Sequence, residues 1–172
     1  MSGPAVAARH RCAVETLDPE PSERLLEIGC GPGVAVSLIC EKLSDGTIVG
    51  LDRSRPMIAQ ATRRNRAHVD AGRAGFEAVA LGEADLGDEA FDKGFAVNVR
   101  LFRTDARREA DVLRRALAPE GAFYLFQHHP SAERTRAITE ELTAALKRDG
   151  FAVRNVTTRG AGASTMTCIV AG

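Results

Sequence analysis

Three glycines at alternating positions, Gly29, Gly31 and Gly33, close the apolar run Arg24–Ile28 and open onto Val34. Glycine admits positive φ and carries no Cβ, so such a turn lets backbone approach a ligand closely. The helix start that follows adds free N–H groups and a partial positive charge, suited to a carboxylate or phosphate. Two acids flank the turn. Glu27 falls inside the apolar run, where a carboxylate is costly without a partner; a ligand ammonium group would be one. Asp52 ends the second apolar run, about 20 residues beyond the glycines, the spacing at which an acid grips a ribose diol. The bland alternative for Asp52 is a loop acid that caps the next helix.

Two ligand classes compete for this pattern. A dinucleotide turn wants its third small residue at position 34, but Val34 stands there and Gly33 comes one step early. A buried acid also repels a pyrophosphate, whereas it suits an amino-acid head group with its ammonium.

The elements that must hold these residues follow from alternation. Short apolar runs trade places with longer Ala/Arg/Glu segments, the pattern of a parallel sheet with helices on both faces. After Arg24–Ile28 the sequence predicts a helix over 34–43, a strand over 47–52, a helix capped by Ser54 with Pro56 in its first turn, and a strand over 76–81. Arg63, Arg64, Asn65 and Arg66 read as a solvated stretch. A fourth strand spans 91–97. Ala106, Ala110, Leu113 and Leu117 recur at helical spacing behind a cap at Thr104, and Pro119 and Gly121 end that helix. The run 122–127 is apolar enough for burial on both faces. Ser131 opens a last helix carrying Ile138, Leu142 and Leu146. Strands over 151–158 and 164–170 flank a loop at Arg159, Gly160, Ala161 and Gly162, too short for a parallel crossover, so the pair must be antiparallel. The expected fold is α/β: a doubly wound, mostly parallel, seven-stranded Rossmann-like sheet with a C-terminal antiparallel hairpin. Residues 1–23 read as a short helix around 9–17 and a polar link, and 24–172 as a single domain.

Composition narrows the function. The 172 residues hold 23 basic and 23 acidic side chains, with 44% hydrophobic and 27% charged. That balance excludes disorder and lacks the basic excess of nonspecific nucleic-acid binding. With no Trp and one Tyr, a stacking platform for single strands is excluded too. Cys12, Cys30, Cys40 and Cys168 form no CxxC pair and no zinc spacing with histidine, so no metal is expected. No signal pattern and no membrane-length apolar run stands out, and a cytoplasmic location is expected.

LLEIGCGPG followed by GLDRS resembles the first two motifs of the class I S-adenosylmethionine-dependent methyltransferases. The similarity continues through LGEAD before FDKGFAVN, through RRALAPEGAFYLF and into the closing hairpin, from Arg24 to the end. The resemblance implies S-adenosylmethionine as cofactor and methyl transfer as activity. It implies that Glu27, Gly29, Cys30, Gly31 and Gly33 line the methionine part, that Asp52 binds the ribose hydroxyls and that Arg53 lies beside the adenine. LGEAD is similar to the family's G-D-A, which implies Glu83 as acceptor for the adenine amino group and Ala84 as backbone donor, with Asp85 as runner-up. Asn98 would sit near the transferred methyl.

Such a cofactor brings the hard chemistry, and the protein supplies alignment and desolvation, so no catalytic acid or base is singled out. Ligands of open α/β sheets sit outside the carboxyl ends of the strands. That makes Asn98, Arg100, Phe102, Arg103, His128 and His129 the substrate-side candidates. Residues 98–101 differ from the N-P-P-Y-like run of enzymes that methylate nucleic-acid amines. Arg100 and Arg103 either hold an anionic substrate or remain surface charges. For the two histidines, a helix-capping role for one and solvation of the other is the expectation, against a base or metal reading. The expected partner is a small-molecule acceptor, with no nucleic acid and no membrane, and with a homodimer among the open oligomeric states. About twenty leading residues are available as a lid. The alternative function is a non-catalytic S-adenosylmethionine-binding or regulatory protein; Val34 and the antiparallel tail disfavour a nicotinamide-dependent reductase.

Overall fold

The computed structural model describes residues 4–88, 90–102, 106–129, 131–159 and 165–172. The helices are α1 Pro4–Leu17, α2 Val34–Cys40, α3 Arg55–Arg64, α4 Arg66–Asp70, α5 Arg107–Ala116 and α6 Ala132–Arg148. The strands are β1 Arg24–Ile28, β2 Thr47–Leu51, β3 Ala74–Glu77, β4 Phe91–Val97, β5 Leu117–His128, β6 Val153–Arg159 and β7 Met166–Ala171. They form one seven-stranded sheet in the order β3-β2-β1-β4-β5-β7-β6. The first five strands pair in parallel, and β7 runs antiparallel to both β5 and β6.

Side chains alternate across the sheet, and each face finds its own helices. Leu26 and Ile28 pack with Leu113 of α5 and Leu146 of α6. Leu25 points the other way, toward Val14 and Leu17 of α1 and Val36 and Ile39 of α2. Burying one such side chain contributes roughly 1.5–3 kcal/mol. The strand order reverses between β1 and β4, so the loops after these two strands part to opposite faces and leave a crevice at their carboxyl ends.

Several boundaries differ from the sequence expectation, each for a local reason. α2 ends at Cys40 because Lys42 and Leu43 both donate their N–H to Ile39 O, at 2.8 and 3.2 Å, tightening the last turn. β3 runs over Ala74–Glu77 rather than 76–81: Leu51, the last residue of β2, pairs with Glu77, so the ladder has no partner further on. The chain then turns through a 3₁₀ segment at Leu81–Glu83. Pro119 and Gly121 do not end α5, which stops at Ala116. They lie within β5, where pairing jumps from Phe91↔Leu117 to Lys93↔Ala122 and 118–121 loop out. Proline has no N–H for a ladder, so an irregularity inside the strand accommodates it. α1 is longer than expected, and the hairpin strands are shifted by one to two residues. The Thr104 cap, the loop at Gly160, Ala161 and Gly162, and Ser164 lie outside the described residues.

Candidate active site

The glycine turn is shaped by close approach on two sides. Gly29 has φ 71°, and a Cβ there would stand 2.5 Å from Val99 Cγ2. Gly33 has φ 73°, precedes α2, and would put a Cβ 2.6 Å from Asn65 Nδ2. Asp52 fixes the turn from below: Oδ2 accepts from Gly31 N at 3.0 Å and Oδ1 from Ser54 N at 2.8 Å. Ser54 in turn caps α3, its Oγ accepting from Met57 N at 3.4 Å. A carboxylate offers about four lone-pair positions, so Asp52 keeps acceptor capacity for a ligand.

The outer side of the turn is held by residues that sequence reasoning assigned to solvent. Asn65 is 1% exposed. Its Nδ2 donates to Gly33 O and Ala61 O, both at 3.0 Å, and its Oδ1 accepts from Ser37 Oγ at 2.8 Å. Arg64 Nε donates to Pro32 O at 2.9 Å. A turn whose amides face inward directs carbonyls outward, and those carbonyls need donors. The available signal was Asn65 itself, a short amide among arginines at the end of a helix.

Glu27 is 1% exposed, shares the sheet face of Leu25, and its Oε2 has no hydrogen-bond partner. Burial first, and the Asp52 charge second, push its carboxyl up to about 8. The same burial, with the charges of Glu27 and Asp52, drives the Cys30 thiol far up, so Cys30 is no nucleophile. The Cys30 side chain packs on Gly50, where a Cβ would lie 3.0 Å from Sγ, leaving backbone as what this residue offers a ligand.

A cleft of about 410 Å³ opens at the crevice. It brings together Gly29, Asp52, Arg53, Asn98 and Arg100, with Leu51, Val79, Ala80, Leu81 and Leu101 as largely apolar walls. Gly31 and Gly33 support the turn without lining the cleft, and Glu27 and Cys30 do not line it either. Glu83 and Ala84 are elsewhere: they line a hollow on the far side of the 3₁₀ turn with Arg107 and Arg108. The early end of β3 causes this correction, because it carries Val79–Leu81 rather than 83–84 to the cleft wall. Phe102 is also displaced from its expected place. It is 3% exposed, and its ring meets Phe123 and Phe151 edge-on at 5.9 Å each. Arg103 lies outside the described residues. No described residue of α1 lines the cleft; Ala13, Val14 and Leu17 are spent on the core instead of on a lid.

A second cavity, about 250 Å³, shares Asn98, Val99 and Arg100 with the cleft and continues to Gln127, His128, Ile138, Glu141 and Leu142. Asn98 has φ 56°, donates its N–H to Phe126 O at 2.9 Å, and accepts from His128 N on Oδ1 at 2.7 Å. His129 lines neither cavity; its Nδ1 accepts from Ser131 N at 3.4 Å beside the start of α6. Larger hollows of about 520 and 660 Å³ lie away from the carboxyl ends of the parallel strands and gather none of the candidate site residues. Among the described residues no group of His, Cys, Asp and Glu could hold a metal ion, and no helix is long and apolar enough to cross a membrane.

The strand order and the closing antiparallel hairpin define the class I methyltransferase fold. Geranyl diphosphate C-methyltransferase from Streptomyces coelicolor A3(2), solved with Mg²⁺, geranyl diphosphate and S-adenosyl-L-homocysteine, superposes with a TM-score of 0.72 at 13% identity, covering 96% of this chain and 79% of that one. YrhH of Bacillus subtilis, designated a methyltransferase, is 26% identical over 143 residues, 82% of this chain and 77% of that protein. Nocamycin O-methyltransferase of Saccharothrix syringae is 33% identical over 85 residues, 49% of this chain but only 28% of its own length. The family described as "Methyltransferase domain" matches residues 25–121, more than half of the chain. The chain therefore belongs to the class I S-adenosylmethionine-dependent methyltransferase family, with S-adenosylmethionine as its cofactor. It is an enzyme of that family; the non-catalytic binding protein is not favoured.

Proposed function

We propose that this methyltransferase acts on a small-molecule acceptor that occupies the 250 Å³ cavity beside the cofactor cleft. The residues fit the cofactor on one observation above others: a buried carboxylate oxygen of Glu27, two residues before Gly29 and within the field of Asp52, is unpaired by any described protein group. A ligand ammonium satisfies it. In this reading Glu27 holds the amino group of the methionine part, Gly29 leaves room for it, Asp52 accepts from the ribose hydroxyls, and Arg53 lies along the base. Bound there, the cofactor would supply a methyl activated on a sulfonium sulfur, open to in-line attack by the acceptor's nucleophile with S-adenosylhomocysteine as the leaving group. The protein's remaining work is placement: Asn98, fixed by its bond to His128 N, sets the opening between the two cavities.

The acceptor cavity is below the roughly 300–1,000 Å³ usual for drug-sized ligands, which favours a small acceptor. Arg100 stands in both cavities and suits an acceptor bearing an anionic group; Ile138 and Leu142 give it an apolar floor. A panel of small hydroxy and amino acids, incubated with methyl-labelled cofactor, tests this. Label should pass to a member of the panel, and Leu142→Phe should raise that acceptor's KM without changing affinity for S-adenosylhomocysteine. An unaltered KM places the acceptor elsewhere. A chirally labelled methyl should arrive inverted; retention overturns in-line displacement.

A further inference from the structure

Part of the cleft wall is apolar: Val79, Leu81 and Leu101. Such walls suit the faces of a purine ring. They do nothing for its exocyclic amine, a two-proton donor that is costly to bury without an acceptor. Glu83 does not line the cleft; it lines the hollow it shares with Arg107 and Arg108. Glu109 stands in the cleft wall instead. It belongs to the first turn of α5, and its carboxyl carbon lies 3.5 Å from where a Cβ of Gly82 would stand, so it is packed against the same turn that supplies Leu81. Glu109 is half-buried, and among the described residues its side chain has no hydrogen-bond or ion-pair partner.

We propose that Glu109 recognises the base of the cofactor, its carboxylate accepting a hydrogen bond from the 6-amino group of adenine. This rests on the assignment of the cleft to S-adenosylmethionine. The carboxylate thus reaches the base from the helix before β5 rather than from the segment after β3. An acid in the first turn of a helix also favours that helix, so a change in stability does not test the idea; base selectivity does.

The test is calorimetry on the whole chain with S-adenosylhomocysteine and with S-inosylhomocysteine, in which a 6-oxo group replaces the amine. The parent should prefer the adenosyl compound by about tenfold or more, as for a hydrogen bond to a charged group. Glu109→Ala should bring the two affinities within about twofold, because nothing then reads the amine. Glu109→Gln should also narrow the ratio, since an amide can donate to the oxo group as well as accept from the amine; it decides the matter if the alanine variant does not fold. A parent ratio retained in either folded variant overturns the role of Glu109 and leaves the cofactor cleft standing. A parent that binds neither compound overturns the cleft assignment and this inference together.

Discussion

The two walls of the cleft are built from different material. On the β1–β2 side the ligand-facing surface is built on backbone: a glycine turn whose Gly29 lines the cleft beside Asp52 and Arg53, whose Gly31 amide is fixed by Asp52 and whose outer carbonyls are held by Arg64 and Asn65. On the β4–β5 side it is side chains on a short loop. Asn98 and Phe102 both hold positive φ there, 56° and 58°. Asparagine tolerates that conformation, whereas a bulky residue in it is strained by about 1–2 kcal/mol. Three T-shaped or tilted ring contacts among Phe102, Phe123 and Phe151 offset the strain and anchor the loop. A backbone wall suits a ligand that never changes. A side-chain wall on an anchored loop can be altered for a new acceptor without disturbing the fold.

The largest expected effects separate the anchors of the two walls. Phe102→Ala should lower stability by about 3–5 kcal/mol, as for any buried phenylalanine, because the left-handed strain comes from Cβ and stays in the variant. Its folded fraction should still bind S-adenosylhomocysteine normally. Gly33→Ala should cost about 2–3 kcal/mol, from left-handed strain and from overpacking against Asn65 and Ala61. Here cofactor binding should fall with stability, because the change displaces the turn that carries Gly29 to the cleft. Urea melts with calorimetry on each variant check this; normal affinity in Gly33→Ala and lost affinity in Phe102→Ala would reverse the contrast.

Asp52→Asn sharpens the backbone side. It keeps the shape but removes charge from a group bonded to two amides and available to a diol. Affinity for S-adenosylhomocysteine should drop by about 10–100-fold, as for a lost charge-assisted hydrogen bond. A variant that binds as tightly as the parent refutes the ribose role.

That contrast also explains what was legible in the sequence. Glycines at positive φ and a carboxylate inside an apolar strand are constraints that few other structures satisfy, so the 29–33 turn, Glu27 and Asp52 could be placed from residue type and spacing alone. The antiparallel hairpin followed from the length of its connecting loop. The acid after β3 could not be placed, because the end of a strand depends on where its neighbour stops pairing, here Leu51 against Glu77. Phe102 was misplaced for a similar reason: whether an aromatic in a loop faces a cleft or a core is decided by distant partners, Phe123 and Phe151. Asn65 was hidden by its arginine neighbours, although its side chain serves a carbonyl of a turn 32 positions away.

Glu27 gives the contrast a pH dependence. The folded chain keeps this proton up to about pH 8, while the unfolded chain releases it near 4.5. Between those values the folded state binds more protons, so the unliganded protein loses stability as pH rises through that window. Glu27→Gln should flatten this part of the stability profile. Cofactor binding runs the opposite way, since an ammonium prefers the ionised acid. Affinity for S-adenosylhomocysteine should rise by up to about tenfold per pH unit below pH 8, then level off. A pH-independent affinity in the parent removes Glu27 from the ammonium site.

The smallest effect distinguishes the two adjacent histidines. Among the described residues the His129 ring makes one long bond, from Ser131 N, and it lines neither cavity, so His129→Ala should change stability by no more than about 0.5 kcal/mol and leave acceptor kinetics alone. His128 lines the acceptor cavity, and the bond that pins Asn98 comes from its backbone, which survives loss of the imidazole. His128→Ala should therefore preserve both the loop and cofactor affinity while raising the acceptor's KM or lowering kcat. Equal kinetics in the two variants would mean that the imidazole of His128 does not meet the acceptor, and that this wall, like the one opposite, acts through its backbone.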